Sequence, residues 1–398
     1  MASHQGAQRI GVSELRKMKI GITCYPTVGG SGVVATELGK MLAEKGHEIH
    51  FITSSTPFRL SPMPSNIYSH QVDVNSYSVF QYAPYDIALA TKIAEVIKSE
   101  KLDLLHVHYA IPHAVCAILG RHMAGSDIGI VTTLHGTDIT VLGTDSSLKE
   151  AIRYGIEKSD AVTAVSNSLR DQTYDMIEAD QRIETVYNFV DEREYYVKET
   201  GNLKEELGIK EHEKVVIHVS NFRKVKRVGD IVDTFWRIRE SVSSKLLLVG
   251  DGPEMSRIHE RVRDLQMSED VLFLGKRDNL SELYNISDLK LLLSEKEAFG
   301  LVMLEAMACG VPGIGTNIGG IPEVIEPGEN GYLVELGDIE SAAKHGTEIL
   351  TNKALAAHLR KGAVNTVASK FHSSRILQEY EDIYARLLQK GEKNENGY

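Results

Sequence analysis

Two glutamates flank a glycine in the segment SEKEAFGLVMLEAMACGVP, residues 294–312. Glu297 and Glu305 stand eight residues apart, and Gly300 lies between them. The apolar spacing after Gly300 predicts a buried helix, on whose apolar face a carboxylate is costly unless it is paired or hydrogen-bonded. The two hydroxyls of a ribose would satisfy Glu305, and Glu297 could bind sugar hydroxyls. The alternative is a favourable charge at the helix start together with a Glu paired to a neighbour.

The first N–H groups of that helix have no partner within the helix itself. They belong to Phe299, Gly300, Leu301 and Val302. Such donors can face phosphate oxygens, and the helix dipole favours negative charge at the same place. One short segment could therefore bind a hexose, a phosphate and a ribose in order.

Four basic residues follow the predicted strand KVVIHVS within five positions. They are Arg223, Lys224, Lys226 and Arg227. In a chain of net charge −11, such a cluster at the carboxyl end of a strand predicts an anion site. Arginine and lysine there would stabilise the charge that develops as a sugar–phosphate bond breaks. A solvated basic loop is the alternative.

A glycine-rich loop joins the first predicted strand to the first predicted helix. It reads GGSG and contains Gly29, Gly30, Ser31 and Gly32. Its N–H groups, together with the helix start, predict phosphate or carboxylate binding, with an unliganded tight turn as the alternative. The spacing fits neither the dinucleotide fingerprint GxGxxG nor the P-loop GxxxxGK[ST].

Histidines are concentrated in HVHYAIPHA and TLHGTDIT, between His106 and His135. An HxH pair could ligate a metal, but histidines on strands are more often hydrogen-bonded in the core, and we predict no metal site. The chain also lacks any Asp-x-Asp pair that could hold a divalent ion on a diphosphate. A diphosphate bound here must then be neutralised by protein cations and helix ends.

These groups need a framework that brings strand ends together. Apolar runs such as KIGITCYP and EIHFIT alternate with helical patterns, and the rhythm restarts at Lys214. We predict an α/β fold with two Rossmann-like, doubly wound parallel-sheet domains facing a central cleft. The predicted parts are a tag or disordered leader (1–17), an acceptor-binding domain (18–190), a nucleotide-sugar domain (191–372) and a helix (373–390) packing back on the first domain.

Composition argues against several classes of function. The net charge of −11 disfavours nucleic acid or an anionic membrane as the main partner. No apolar run approaches the roughly 18–20 residues of a membrane span. The three cysteines, Cys24, Cys116 and Cys309, cannot all pair, which predicts a reducing, cytoplasmic location.

The motifs EAFGLVMLEAMACGVP and GGIPEVI resemble the E-x7-E signature of retaining, nucleotide-sugar-dependent glycosyltransferases of family GT4. Their fold, called GT-B, has two Rossmann-like domains with a cleft between them. The resemblance covers about residues 18–390 and includes the GGSG loop, LHGTD, SNFRKVKR and LLLVGDGPE. It implies an enzyme that needs no metal or other cofactor and that forms homo-oligomers, as relatives do.

The resemblance also implies roles for residues at matching positions. Glu297, His135 and Lys226 would be catalytic, acting on the donor sugar and its diphosphate, and Glu305 would bind the ribose. The other donor-binding residues would be Gly30, Ser31, Asn221, Arg223, Arg227, Lys276, Arg277, Phe299, Gly300, Leu301 and Val302. Many family members carry Arg where Asn221 stands and Gly where Arg227 stands. Arg223 and Arg227 are both candidates to replace the missing guanidinium.

The runs KIGITCYPTVGGSGVVATELGKMLAEKGHEIHFITSSTPFRL and TLHGTDIT are most similar to family members that use UDP-N-acetylglucosamine (UDP-GlcNAc). These transfer the sugar to the hydroxyl of L-malate, in the first step of bacillithiol biosynthesis. By comparison with relatives that use an inositol phosphate, the acceptor residues would be Ser31, Tyr109, Thr137, Arg153 and Asn188. Arg153 would bind the malate carboxylates, since arginine binds them bidentately; an exposed helix arginine is the alternative.

Three other functions remain open from the sequence. The first is a GT4 transferase with an inositol phosphate or a lipid as acceptor. The second is a UDP-GlcNAc 2-epimerase on the same two-domain plan, which would turn over the nucleotide sugar without an acceptor. The third is a two-domain ligand-binding protein, which normally carries an export signal, and none is seen in this sequence.

Overall fold

A computed structural model describes residues 16–26, 29–60, 63–75 and 81–395. Residues 1–15 of the predicted leader, and Thr27 and Val28 just before the GGSG loop, lie outside the described residues. Within the described ranges the strands form two separate sheets in which every pairing is parallel. The predicted fold of two doubly wound parallel sheets is confirmed.

The first sheet has the strand order β3-β2-β1-β4-β5-β6-β7 in the described part of the chain. Its strands are β1 (Lys19–Thr23), β2 (Glu48–Thr53), β3 (Ile67–Gln71), β4 (Leu104–His108), β5 (Gly129–Leu134), β6 (Ala161–Ala164) and β7 (Ile183–Thr185). Its helices are α1 (Gly30–Glu44), α2 (Tyr85–Glu100), α3 (Val115–Ala124), α4 (Ser146–Glu157) and α5 (Asn167–Ile177). Short helical turns span Ala110–Ala114, Thr137–Val141 and Leu142–Thr144.

The edge strand β3 was missing from the sequence prediction. Only its first residue, Ile67, is buried, and the rest of the strand is polar or exposed. The central strands are buried on both faces and therefore read as apolar runs, whereas an exposed edge strand has no such run.

The second sheet has the strand order β10-β9-β8-β11-β12-β13 in the described part of the chain. Its strands are β8 (Lys214–Ser220), β9 (Ser244–Gly250), β10 (Val271–Gly275), β11 (Leu289–Leu292), β12 (Gly313–Thr316) and β13 (Gly331–Val334). The helices that follow β7 are α6 (Leu203–Glu206), α7 (Val228–Arg239), α8 (Met255–Asp264), α9 (Leu280–Asn285), α10 (Leu301–Ala308), α11 (Ile321–Val324), α12 (Ile339–Thr351), α13 (Lys353–Lys370) and α14 (Ser373–Glu395). A 3-10 turn spans Lys224–Lys226.

Each sheet has one point where the order of its strands reverses. It lies between β1 and β4 in the first sheet and between β8 and β11 in the second. Ligands of such sheets bind in the crevice beyond the strand ends at this point. The GGSG loop follows β1, the basic loop follows β8, and the segment carrying Glu297 follows β11. The topology thus places the candidate residues at the two crevices.

Helix α14 packs on the first domain although it follows the second in sequence. Its buried Ile376, Tyr380 and Tyr384 share one core cluster with residues of β1 and α1. The Tyr384 hydroxyl also lies 2.7 Å from His106 Nδ1 on β4. Burying side chains of this size stabilises a fold by about 1.5–3 kcal/mol each, so α14 ties the two domains together.

No helix in the described ranges combines the length and the apolarity needed to cross a membrane. The three cysteines are buried and unpaired. They therefore act as small core side chains. Burial raises the pKa of each thiol to about 12.

Candidate active site between the two domains

The loops after β5 and β6 touch the segment between the two glutamates. The Ser166 hydroxyl donates to the Ala298 carbonyl oxygen at 2.6 Å. Gly136 of the LHGTD motif has φ +110°, and a Cβ there would lie 2.5 Å from the Ala298 Cβ. Glycine is therefore needed at this position for its conformation and for the close approach of the two domains.

Glu297 is held beside a lysine of the basic loop. The Lys226 Nζ lies 2.7 Å from Glu297 Oε2, and the Ser294 hydroxyl donates to the same oxygen at 3.3 Å. The Gly320 N–H donates to the Glu297 carbonyl at 3.0 Å, which fixes the backbone. The structure thus brings together the carboxylate predicted to bind the sugar and the cation predicted to bind the diphosphate.

Glu305 lies on the buried face of α10 and is 5% exposed. The Tyr284 hydroxyl donates to its Oε2 at 3.0 Å, which supplies the partner that a carboxylate in this position requires. Burial raises the pKa of Glu305 to about 7, while Arg59 of the first domain, Tyr284 and Lys290 oppose the shift. Protonation near neutral pH can therefore switch this carboxylate between acceptor and donor.

The start of α10 offers free backbone donors. Gly300, with φ +95°, precedes the helix, and no side chain caps it. The four N–H groups predicted from the sequence donate no hydrogen bond within the described residues. They belong to Phe299, Gly300, Leu301 and Val302. A phosphate beside Glu297 would meet these donors and the positive end of the helix dipole.

The structure distinguishes the two arginines of the basic loop. Arg227 is bound by Asp230, whose Oδ2 lies 2.7 Å from Arg227 Nε. Arg223 is exposed and makes no ion pair within the described part of the chain. Burial raises the pKa of Tyr109 in the first domain, and the charge of Arg223 opposes that shift from across the cleft. Arg223 is thus an unpaired guanidinium whose charge acts on the first domain, whereas Arg227 is held by Asp230.

His135 is oriented by a second buried histidine. Its Nε2 lies 2.8 Å from His108 Nδ1, and burial lowers its pKa to about 3, so the ring is neutral. His108 Nε2 is buried without a partner in the described residues, and a proton there would be an orphan donor. His108 therefore donates from Nδ1 to His135 Nε2, which leaves the His135 proton on Nδ1. His135 can offer that N–H to a sugar hydroxyl.

Three of the predicted acceptor residues lie together. The Tyr109 hydroxyl donates to Ser31 Oγ at 3.0 Å. Burial raises the pKa of this hydroxyl, and the side chains of Ser31 and Thr137 oppose that shift. The Tyr109 ring packs 5.4 Å from the ring of His135. Gly30 brings this cluster to the second domain, since a Cβ there would lie 3.9 Å from Leu301 Cδ2.

The structure does not bring the other predicted residues into this group. Arg153 is ion-paired with Glu150 on the outer face of α4, where it binds no site residue. Asn188 is buried. Lys276 and Arg277 are exposed after β10, at the sheet edge, and Arg277 Nε donates to the Leu274 carbonyl at 3.0 Å. Asn221 is exposed and carries no charge.

Three residues near the site were missed by the sequence reasoning. Lys290, in the apolar run LKLLLS, is fully buried near Glu305, and a charge inside such a run was a signal that could have been used. Glu323 of GGIPEVI accepts from the N–H groups of Asn167 and Ser168 at 2.9 and 2.8 Å, and so caps a helix of the other domain. Arg59 of the first domain lines one cavity with Glu305 and opposes the rise of its pKa, and the local sequence around Arg59 gives no sign of this.

Comparisons with known proteins match both halves of the chain. The family "Glycosyltransferase Family 4" matches residues 28–194, and "Glycosyl transferases group 1" matches residues 199–366. The chain is 59% identical to the N-acetyl-alpha-D-glucosaminyl L-malate synthase of Bacillus anthracis, over 94% of this chain and 98% of that protein. It is 25% identical to the D-inositol 3-phosphate glycosyltransferase of Acidothermus cellulolyticus, over 90% of this chain and 86% of that protein.

Solved structures share the fold at lower identity. A glycosyltransferase from Rickettsia africae has a TM-score of 0.80 at 23% identity, covering 94% of this chain and 99% of its own. Anabaena Alr3699/HepE, solved in complex with UDP and glucose, has a TM-score of 0.79 at 21% identity and covers 93% and 100%. At these identities the likeness establishes the two-domain architecture.

Proposed function

The chain belongs to the family 4 glycosyltransferases, and on that premise we propose that it transfers N-acetylglucosamine from UDP-GlcNAc to the hydroxyl of L-malate. This would be the first step of bacillithiol biosynthesis. The observation that carries the choice of substrates is the 59% identity to the L-malate synthase along 94% of the chain. The relative that acts on inositol 3-phosphate is only 25% identical, which favours malate over that acceptor.

The donor would bind mainly at the second crevice. Lys226 and the free N–H groups of α10 would hold the diphosphate, Glu305 the ribose, and Glu297 the sugar. Arg223 adds a guanidinium that no carboxylate of the described chain neutralises. Positive groups fixed before the reaction stabilise the charge that builds up on the departing diphosphate.

The acceptor would bind against the first domain. Ser31, Tyr109 and Thr137 would supply hydroxyls beside the donor site, and Arg223 would supply a cation that has no ion pair in the described residues. Because Arg153 is bound by Glu150, the malate carboxylates would be held by Arg223 and these hydroxyls instead. The malate hydroxyl is thereby oriented next to the sugar, which replaces a bimolecular encounter with a fixed geometry.

The reaction would proceed on one face of the sugar ring. The bond from C1 to the diphosphate oxygen breaks, and the bond from C1 to the malate oxygen forms on the same face, which retains the α configuration. The departing diphosphate takes the proton of the malate hydroxyl, and UDP leaves. His135 would donate from Nδ1 to a sugar hydroxyl and help to fix the ring. Charge neutralisation by protein groups alone would make a divalent metal unnecessary.

An acceptor panel tests the proposal. Release of UDP from UDP-GlcNAc is measured with L-malate, with inositol 3-phosphate and with water alone, and the N-acetylglucosaminyl malate product is identified by mass. We expect UDP release that depends on L-malate and exceeds the rate with either alternative by at least about 100-fold, because the site must order its acceptor. Turnover of the nucleotide sugar without any acceptor would indicate the epimerase. A preference for inositol 3-phosphate would indicate the related transferase.

Two further expectations remain predictions. The sequence implied a homo-oligomer and a cytoplasmic location, and the described residues bear on neither. The same holds for the absence of a cofactor other than the substrates.

A further inference from the structure

The second sheet contains a lysine at its centre. Lys290 lies on β11, opposite Ile217 on β8 and Gly313 on β12. It has 0% exposed surface, and its Nζ has no hydrogen-bond partner in the described residues. An unpaired ammonium in such a place costs several kcal/mol of folding free energy. A lysine retained at that cost points to a role in the site above it.

The Lys290 ammonium lies beside Tyr284, the residue that hydrogen-bonds Glu305. Its Nζ is 5.7 Å from the centre of the Tyr284 ring, and the Tyr284 hydroxyl donates to Glu305 Oε2 at 3.0 Å. A cation over an aromatic face is attracted to the ring and makes its hydroxyl a stronger donor. Lysine, tyrosine and glutamate thus form a continuous array from the sheet to the predicted ribose site.

The charged and titratable groups around this amine come from five neighbouring segments. They are Glu305 on α10, Tyr284 on α9, His218 on β8, Lys226 in the 3-10 turn after β8, and Glu297 before α10. Burial lowers the pKa of Lys290 to about 7, and Glu305 is the strongest of the charges that oppose this. Glu305 is therefore the group with which the Lys290 charge interacts most.

We propose that Lys290 is a positioning residue that keeps Glu305 ionised and aimed so that its carboxylate accepts both hydroxyls of the donor ribose. The inference rests on the proposed function, in that it assumes a uridine nucleotide as donor. Lys290 does not touch the ligand. It acts through the field on Glu305 and through the Tyr284 hydroxyl.

The expected pH dependence follows from the two pKa shifts. Burial raises the pKa of Glu305 to about 7, so its ability to accept from both hydroxyls is lost as the pH falls through that value. The positive charge of Lys290 opposes this loss, and the amine is itself charged mainly below about pH 7. Removing the amine should therefore weaken ribose binding most at pH 6–7, and the variant and native proteins should converge above about pH 8.

Ligands that differ only in the ribose hydroxyls give the sharpest test. Binding of UDP and of 2′,3′-dideoxy-UDP is measured by calorimetry at pH 6.5 and pH 8.5, for the native protein and for Lys290→Met. We expect the native protein to bind UDP at least about 30-fold more tightly than 2′,3′-dideoxy-UDP, because each lost hydrogen bond to a charged group lowers affinity by roughly tenfold or more. In Lys290→Met this preference should fall below about 5-fold at pH 6.5 and recover at pH 8.5.

Controls separate this role from a structural one. Lys245→Met removes a lysine at the opposite end of the same sheet, where it pairs with Asp270 and Glu213, and should keep the native preference. Thermal unfolding should show Lys290→Met to be at least as stable as the native protein, because methionine fills the space without a buried charge. Should the methionine variant not fold, Lys290→Gln gives the same readout.

Two results would overturn the inference. The first is an unchanged preference for UDP in a folded Lys290 variant. The second is a native protein that binds UDP and its dideoxy analogue equally, since Glu305 would then not hold the ribose at all. In that second case malate-dependent release of UDP would still be expected. A failure of this inference can therefore be told apart from a failure of the proposed function.

Discussion

Replacement of Lys226 by alanine is expected to lower kcat for UDP-GlcNAc by about 10²–10³-fold, the usual cost of removing one preorganised charge from a transition state. Lys226 Nζ, from the basic loop, lies 2.7 Å from Glu297 Oε2, and Glu297 stands just before the free N–H groups at the start of α10. Its charge would meet the diphosphate as the bond to the sugar breaks. The variant also leaves Glu297 without its cation, and that carboxylate would then repel the leaving group.

Lys224→Ala is the matched control for this variant. Lys224 lies two positions earlier in the same 3-10 turn, is exposed and makes no ion pair in the described chain. We expect its steady-state kinetics to stay within about 2-fold of the native protein, as for most exposed charges. Equal losses in the two variants would mean that the loop acts through its overall charge, and native kinetics in Lys226→Ala would remove Lys226 from the catalytic set.

Loss of Arg223 should be the second most damaging change. We expect Arg223→Ala to lower kcat/KM by about 100-fold, because its charge acts on Tyr109 of the first domain and is neutralised by no carboxylate in the described residues. Arg227→Ala should lower kcat/KM by no more than about 3-fold, since Asp230 already binds that side chain at 2.7 Å. Kinetics at varied donor and varied malate would show which anion Arg223 holds.

The comparison of these two arginines answers a question that the sequence left open. Both stand in one loop, and family resemblance alone made either a candidate to replace the arginine expected at Asn221. A larger effect of Arg227→Ala than of Arg223→Ala would contradict the assignment made from the structure. It would indicate that Asp230 releases Arg227 when the donor binds.

The layout of the site followed from sequence because its parts stand at strand ends. Glu297, Lys226 and the GGSG loop each come directly after an apolar strand, and parallel sheets gather such ends in one crevice. The family signature then supplied roles that strand patterns cannot give. The edge strand β3 was not predicted, because a half-exposed strand has no apolar run.

What the sequence could not supply were directions of side chains and contacts between distant segments. Arg153 stands on the predicted helix, yet its guanidinium turns outward to Glu150, and helical spacing alone does not decide between two polar faces. Arg59 and Glu305 are brought near each other only when the domains meet. The tautomer of His135 depends on His108, 27 positions away, and on the burial of the His108 ring.

In the proposed reaction, fixed protein cations and amide dipoles neutralise the negative charge that develops on the departing diphosphate. The most direct test of this neutralisation is the initial rate of malate-dependent UDP release by metal-stripped enzyme, with excess chelator and then with added Mg²⁺ or Mn²⁺. We expect equal rates in all three conditions, within about 2-fold, because Lys226, Arg223 and the start of α10 would already neutralise the diphosphate. Activity abolished by the chelator and restored by a divalent ion would contradict it.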